Sequence, residues 1–322
     1  MSIRIRLRRT GRAAALCAAG ILITAGLGAT HAAAATPTAS PTTTTPTTTA
    51  AASTADAGGA IDAAKALQAV ALPGANDWTC KPGAAHPRPV VLVHGTFVTG
   101  TLNWIELAPL LKARGYCVFA PTYGRMPNIP ALAAIAPMER SAAELKTFVD
   151  GVLAATGASK IDMVGHSQGG LLPRYYQKFL GGAEKTERYI ALAPTSHGTT
   201  LSGLATLLQS IKGAPEALLE SWCPGCLDQT PGSAFLQKVN AGGDTAPGVE
   251  YTVISTKLDY IVTPVASQFL QGPNVRNLYT QDMCWYDLAQ HATMQVDSEV
   301  LHEVMNVLDP ANATRTGCRI LP

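Results

Sequence analysis

The stretch Ile161-Asp162-Met163-Val164 reads as a buried strand and runs directly into Gly165-His166-Ser167-Gln168-Gly169, after which Gly170 to Leu180 has a helical pattern. A strand that becomes a helix within so few residues strains the backbone at the central serine, and only small residues at positions 165 and 169 allow so close an approach. The Ser167 hydroxyl is thereby pushed out at a sheet edge. Behind it a helix N-terminus offers free N–H groups and a positive dipole end to a developing negative charge. Pro173 falls early in that helix, where first-turn N–H groups lack partners and a missing donor costs little. The alternative reading of these residues is a tight turn with a structural role alone.

The flanking sequence gives the turn a setting. Val90 to Val93 is a continuous apolar run ended by His94-Gly95, as expected for a strand buried on both faces of a parallel sheet. Trp104, Leu107, Leu110 and Leu111 then share a helical face that stops at Gly115, and Tyr116 to Ala120 returns as a strand. Met138 to Ala155 repeats Leu145, Phe148, Val149 and Val152 at helical spacing. Arg188 to Ala193, Glu250 to Ser255 and Val275 to Tyr279 are further candidate strands. This alternation predicts an α/β class fold, a mostly parallel, doubly wound sheet with helices on both faces. Ligands bind outside the carboxyl ends of such strands, so reactive residues should sit just after each run.

A serine hydroxyl is a poor nucleophile at neutral pH unless a base takes its proton, and the base needs an orienting acid. After an elbow of this kind the chain order is Ser, Asp or Glu, then His. His197, His291 and His302 follow Ser167. His197 comes too soon to leave room for an acid-bearing strand. His302 lies in the helix-like Asp297 to Leu308 and reads as a solvated surface residue, which leaves His291, in the loop before that helix. For the acid, Asp259 follows the strand-like Tyr251 to Thr256; the rivals Asp282 and Asp287 stand beside Cys284 in a segment read as pinned by a disulfide. An oxyanion hole needs the N–H after the nucleophile and one from the loop after an early strand, which are Gln168 and Thr96. The Thr96 hydroxyl is expected to add a further donor. His94 reads as a loop residue bonded locally.

The two ends of the chain speak to compartment. Arg4, Arg6, Arg8, Arg9 and Arg12 precede the apolar run Ala13 to Leu27, with small residues at Ala32 to Ala35, the layout of a cleaved secretory signal peptide over residues 1–35. The run is short against the roughly 20 residues that span a membrane. Residues 36–59, rich in Thr, Pro and Ala, are expected to form a disordered linker, and residues 60–322 a single catalytic domain. Beyond residue 35 there are 19 basic and 22 acidic residues, so the positive balance belongs to the targeting segment and nucleic acid is not an expected partner. Cys80, Cys117, Cys223, Cys226, Cys284 and Cys318 remain after cleavage. Pairing nearest neighbours gives Cys80–Cys117, Cys223–Cys226 and Cys284–Cys318, one of many possible connectivities. Cys223-Pro-Gly-Cys226 has redox-motif spacing but sits in a loop-like stretch and reads as a structural staple. No His, Cys, Asp or Glu cluster has metal-ligand spacing, so neither metal nor cofactor is expected.

Val90 to Gly95, Gly165 to Gly170 and Asp259-Tyr260-Ile261-Val262-Thr263-Pro264 together resemble the secreted bacterial class 2 lipases. The order from Ala193-Pro194 through Thr230-Pro231-Gly232-Ser233-Ala234 to His291-Ala292 is similar to the yeast lipase B type. The resemblance spans about Trp78 to Cys318 and implies an α/β-hydrolase fold, hydrolysis of carboxylic esters, the pair Asp259 and His291, and the disulfides Cys80–Cys117 and Cys284–Cys318. Cys223–Cys226 has no counterpart in lipase B, which also carries Thr-Trp where this chain has Gly165-His166. The expected substrate is a lipid or other ester, triacylglycerol foremost, met by a monomer in transient contact with a lipid interface. A short-chain carboxylesterase, a polyester hydrolase and a catalytically silent binding module are the alternatives. Leu201, Leu204, Leu207, Leu208 and Ile211 recur at helical spacing, as in an apolar wall or lid, or in plain core.

Overall fold

The computed structural model describes residues 54–201 and 219–318. The signal-like start, the linker up to residue 53 and the stripe residues Leu204, Leu207, Leu208 and Ile211 lie outside the described residues. Six strands form one wholly parallel sheet: β1 (Val90–Val93), β2 (Val118–Phe119), β3 (Ile161–His166), β4 (Thr186–Leu192), β5 (Glu250–Ser255) and β6 (Val275–Tyr279). Their order is β2-β1-β3-β4-β5-β6. Each strand falls on a run expected to form one, although pairing in β2 is confined to Val118 and Phe119. The chain steps from β1 to β2 on one side and then to β3 on the other. Winding therefore reverses between β1 and β3, and the crevice outside their carboxyl ends is where such sheets bind ligands.

The strands are apolar on both faces because both are covered. Val91, Val93, Phe119, Met163, Tyr189, Ala191 and Val253 pack with Leu145, Phe148, Val149 and Val152 of α4 (Met138–Thr156) and with Leu172 and Tyr176 of α5 (Leu172–Phe179). On the opposite face Val90, Leu92, Val118, Val164, Ile190, Leu192 and Ile254 meet Trp104, Leu107 and Leu111, and Val300, Leu301 and Val304 of the C-terminal helix Ser298–Leu308. The alternation of neighbours such as Val90 and Val91 between faces is the period-two signature of a strand. The helix expected around Trp104 is broken into α2 (Gly100–Asn103) and α3 (Leu107–Ala113).

Helix α1 (Thr54–Lys65) begins inside the segment expected to be linker. Small residues suffice here because α1 lies against Gly151 of α4: a Cβ at that glycine would stand 2.2 Å from the Ala64 Cβ. Between β4 and β5, α6 (Pro224–Asp228) and α7 (Ala234–Asn240) are followed by a loop. The Cys223–Cys226 bond thus closes a short helix and not the loop-like stretch expected. Cys80 is bonded to Cys117 and Cys284 to Cys318. After β6 come α8 (Thr280–Met283) and α9 (Ser298–Leu308), the latter capped by Asp297. Among the described residues no helix is long and apolar enough to cross a membrane.

Candidate active site

Ser167 stands at the junction of β3 and the turn Ser167–Gly170 with φ at 58°, a left-handed conformation that a serine adopts at a cost of about 1–3 kcal/mol. Packing holds it there. A Cβ at Gly165 would lie 1.9 Å from the Gly169 carbonyl oxygen, and one at Gly169 would lie 2.1 Å from that of Val93. No side chain fits either position, so strand, turn and β1 close onto one another only with glycines present.

The strained turn brings the Ser167 Oγ 2.9 Å from His291 Nε2, and His291 Nδ1 is 2.8 Å from Asp259 Oδ2. All three residues are buried. Asp259 lies past the end of β5, and its Oδ1 accepts the N–H groups of Ile261 and Val262 at 2.8 and 2.9 Å. Its Oδ2 also accepts Gln268 Nε2 at 2.9 Å. Burial raises the pKa of this carboxyl, but the hydrogen bond and charge of His291 and the two N–H groups outweigh it and hold Asp259 below the ordinary carboxylate value. A carboxylate in this place orients the imidazole and stabilises it once protonated.

His291 is held from its main chain as well. Its carbonyl oxygen is 2.9 Å from His166 Nε2. A carbonyl only accepts, so that nitrogen carries the proton; Nδ1 lies 3.1 Å from Asn103 Oδ1, and burial followed by the charge of His291 pushes His166 down to about 3. Gln268 and His166 escaped assignment from sequence. Neither stands in a spacing that announces a role, and His166 was visible only as a member of the elbow.

On the other side of the serine, the Thr96 hydroxyl donates to Gln168 Oε1 at 2.6 Å, so the loop after β1 and the residue after Ser167 are side by side across the crevice. The hydroxyl expected as a further donor toward substrate is directed at Gln168 instead. His94 donates from Nδ1 to the Gly95 carbonyl at 2.8 Å and accepts the Tyr123 N–H at Nε2, while burial pushes it down to about 4. It is a neutral structural residue.

The rejected candidates are occupied elsewhere. Asp282 accepts the Tyr279 N–H and pairs with Lys257, and Asp287 accepts the Ala289 N–H. His302 corrects the sequence reading: it is buried, with its ring nitrogens 2.9 Å from the hydroxyls of Thr314 and Thr316, because the chain after α9 folds back over it. His197 contacts a different carboxylate, Asp244, at 3.0 Å. The expectation of no metal-ligand cluster also meets a difference, since Asp287, Asp297 and Glu299 bring carboxylate oxygens within 4.8 Å of one another. Burial, with Asp287 and Glu299 adding to it, pushes Asp297 up to about 6.

Comparison with known proteins adds to this geometry. The family model described as Lipase (class 2) matches residues 87–303. Triacylglycerol lipases of Pseudarthrobacter phenanthrenivorans and Burkholderia plantarii are each 34% identical over 97 residues, 29% of this chain. That stretch spans only 28% and 25% of those relatives. The crystal structure of Aspergillus fumigatus lipase B superposes with a TM-score of 0.58 at 19% identity, over 79% of this chain and 66% of that one. A Bacillus licheniformis lipase in its mature form gives 0.53 at 18%, over 71% and 94%. At such identities the likeness is one of fold.

Proposed function

Because the chain belongs to the class 2 lipase family and has the α/β-hydrolase fold, we propose that it is a serine hydrolase of carboxylic esters, with triacylglycerols as its main substrates. The observation that carries the reading is the line Ser167 Oγ, His291 Nε2, His291 Nδ1, Asp259 Oδ2, with contacts of 2.9 and 2.8 Å at a turn that holds Ser167 in the left-handed region. A structural turn or a binding module has no use for a base aligned on a serine.

In the proposed reaction Ser167 attacks the ester carbonyl while His291 Nε2 takes its proton, and Asp259 holds the ring with Nδ1 protonated. The N–H groups of Thr96 and Gln168 receive the oxyanion, a contribution on the order of 3 kcal/mol for each donor. His291 then protonates the leaving alcohol, and water repeats the sequence on the acyl-enzyme. Exposed apolar side chains next to the site residues in sequence support a lipid substrate: Phe97 follows Thr96, Leu258 and Tyr260 flank Asp259, and Trp285 and Leu288 precede His291. Export with removal of residues 1–35 is part of the same reading and is supported by the three disulfides, which persist in an oxidising compartment.

The test is hydrolysis of a triacylglycerol emulsion and of a soluble short-chain ester by the protein and by Ser167→Ala. Activity lost in Ser167→Ala and higher on the emulsion is the expected result. Activity on the soluble ester alone would make it a short-chain carboxylesterase, and a fully active Ser167→Ala would end the proposal.

A further inference from the structure

Gln229, the residue that ends α6, is buried where four segments meet. Its Nε2 lies 2.9 Å from the Gly225 carbonyl oxygen, 3.0 Å from Gln168 Oε1 and 3.3 Å from Thr96 Oγ1. Its Oε1 accepts the Thr195 hydroxyl at 3.0 Å, and its main-chain carbonyl accepts the Thr199 N–H. The orientation of this amide follows from donor logic. The Gly225 carbonyl only accepts, so the Gln229 nitrogen faces it. The Gln168 atom beside that nitrogen is then the oxygen, and the Thr96 hydroxyl, on the same oxygen, must donate. One buried amide therefore locks the side chains of both residues assigned to the oxyanion.

We propose that Gln229 is a positioning residue of the oxyanion hole, set in place by the disulfide-closed helix α6. The inference rests on the hydrolase reading above. Gln229 touches no reacting atom and acts by holding Thr96 and Gln168 in register across the crevice between β1 and β3. Its own frame is rigid: Cys223 is bonded to Cys226, the Gly225 N–H donates to the Ile135 carbonyl, and a Cβ at Gly225 would lie 2.6 Å from the Ala136 oxygen. Misplacing an oxyanion donor matters only once negative charge has formed, so the effect belongs to kcat and not to KM.

The experiment measures kcat and KM on p-nitrophenyl butyrate from pH 5 to 8 for the wild type, Gln229→Leu, Gln229→Glu and the double variant Cys223→Ser, Cys226→Ser. Gln229→Leu should lose about 10- to 100-fold in kcat with KM within about twofold, part of the 10²–10³ that a missing donor costs. In Gln229→Glu a carboxylate faces two acceptors, Gln168 Oε1 and the Gly225 carbonyl, whereas its protonated form donates as the amide did. Its kcat relative to wild type should therefore rise as pH falls, while the ratio for Gln229→Leu stays flat, a pattern that general loosening of the fold does not produce. The double variant should lose kcat in the same sense by a smaller factor. A kcat within twofold of wild type for Gln229→Leu, or a pH-independent ratio for Gln229→Glu, overturns the inference, and the second criterion decides if Gln229→Leu does not fold. Ser167→Ala measured alongside separates the two failures: if it stays active the hydrolase reading falls, and if it is dead while the Gln229 variants are unimpaired only the role of Gln229 falls.

Discussion

Two carboxylate–histidine pairs lie among the described residues, and their contacts are nearly the same length: Asp259 to His291 at 2.8 Å and Asp244 to His197 at 3.0 Å. What separates them is the other ring nitrogen. In His291 it meets the hydroxyl of Ser167, a group with a proton to give, whereas in His197 it meets the main-chain carbonyl of Ser267, which has none. His197 thus has an acceptor on each nitrogen and is best satisfied as a cation, and its pKa is raised, first by the hydrogen bond to Asp244. Asp244 is further compensated by the buried Arg174, which donates to both its main-chain and side-chain oxygens. A carboxylate beside an imidazole is therefore no mark of catalysis by itself. The mark is a proton donor on the far side of the ring.

Substitutions should sharpen that contrast. The largest effect belongs to Ser167→Ala, with a fall in kcat on the order of 10⁶-fold in an ester assay. Asp259→Asn should cost about 10⁴-fold through the wrong tautomer of His291, while Asp244→Asn, which changes the same kind of contact, should leave kcat within about threefold. If the two asparagine variants lost activity equally, the distinction between the pairs would collapse.

Stability should show the reverse. Arg174→Met strips the second pair of its buried cation and should lower unfolding free energy by about 3–5 kcal/mol in urea titrations, with kcat of the folded fraction unchanged. The smallest effect is one of pH. His197 has a folded-state pKa above its ordinary 6.5, so its contribution is present in full below that value and fades as pH rises through the folded-state pKa. Thermal melts of wild type and His197→Ala should therefore differ most in mildly acidic buffer and converge at alkaline pH. Asp259, held below its ordinary value, works in the opposite sense, contributing stability above pH 4 that is lost on further acidification.

The elements that were legible before the structure are those with a local signature. The strands carry continuous apolar runs, and the elbow carries the two glycines that its backbone crossing requires. Asp259 and His291 were reached from chain order and position after a strand, a rule about topology. The second pair left no such trace, because Asp244 and His197 sit in loops whose approach depends on Arg174 reaching across from α5. His302 was misjudged for a related reason: a helical wheel records the face turned to the sheet but not a tail that returns over the outer face. Gln229 and Gln268 are single amides in irregular segments, and their roles exist only through what the fold sets beside them. The start of α1 was hidden by composition, since alanine and glycine read as a lack of core until a glycine on α4 provides the groove.

The loop that leads to His291 leaves Cys284 with the indole of Trp285 almost bare, 82% exposed, while Trp104 is wholly enclosed in the core. Of the four tryptophans these two sample opposite environments, with Trp78 and Trp222 half-buried between them, so a collisional quencher or a detergent micelle reaches Trp285 and leaves Trp104 untouched. Trp285, six positions ahead of His291, is thus an optical reporter of whatever reaches that loop.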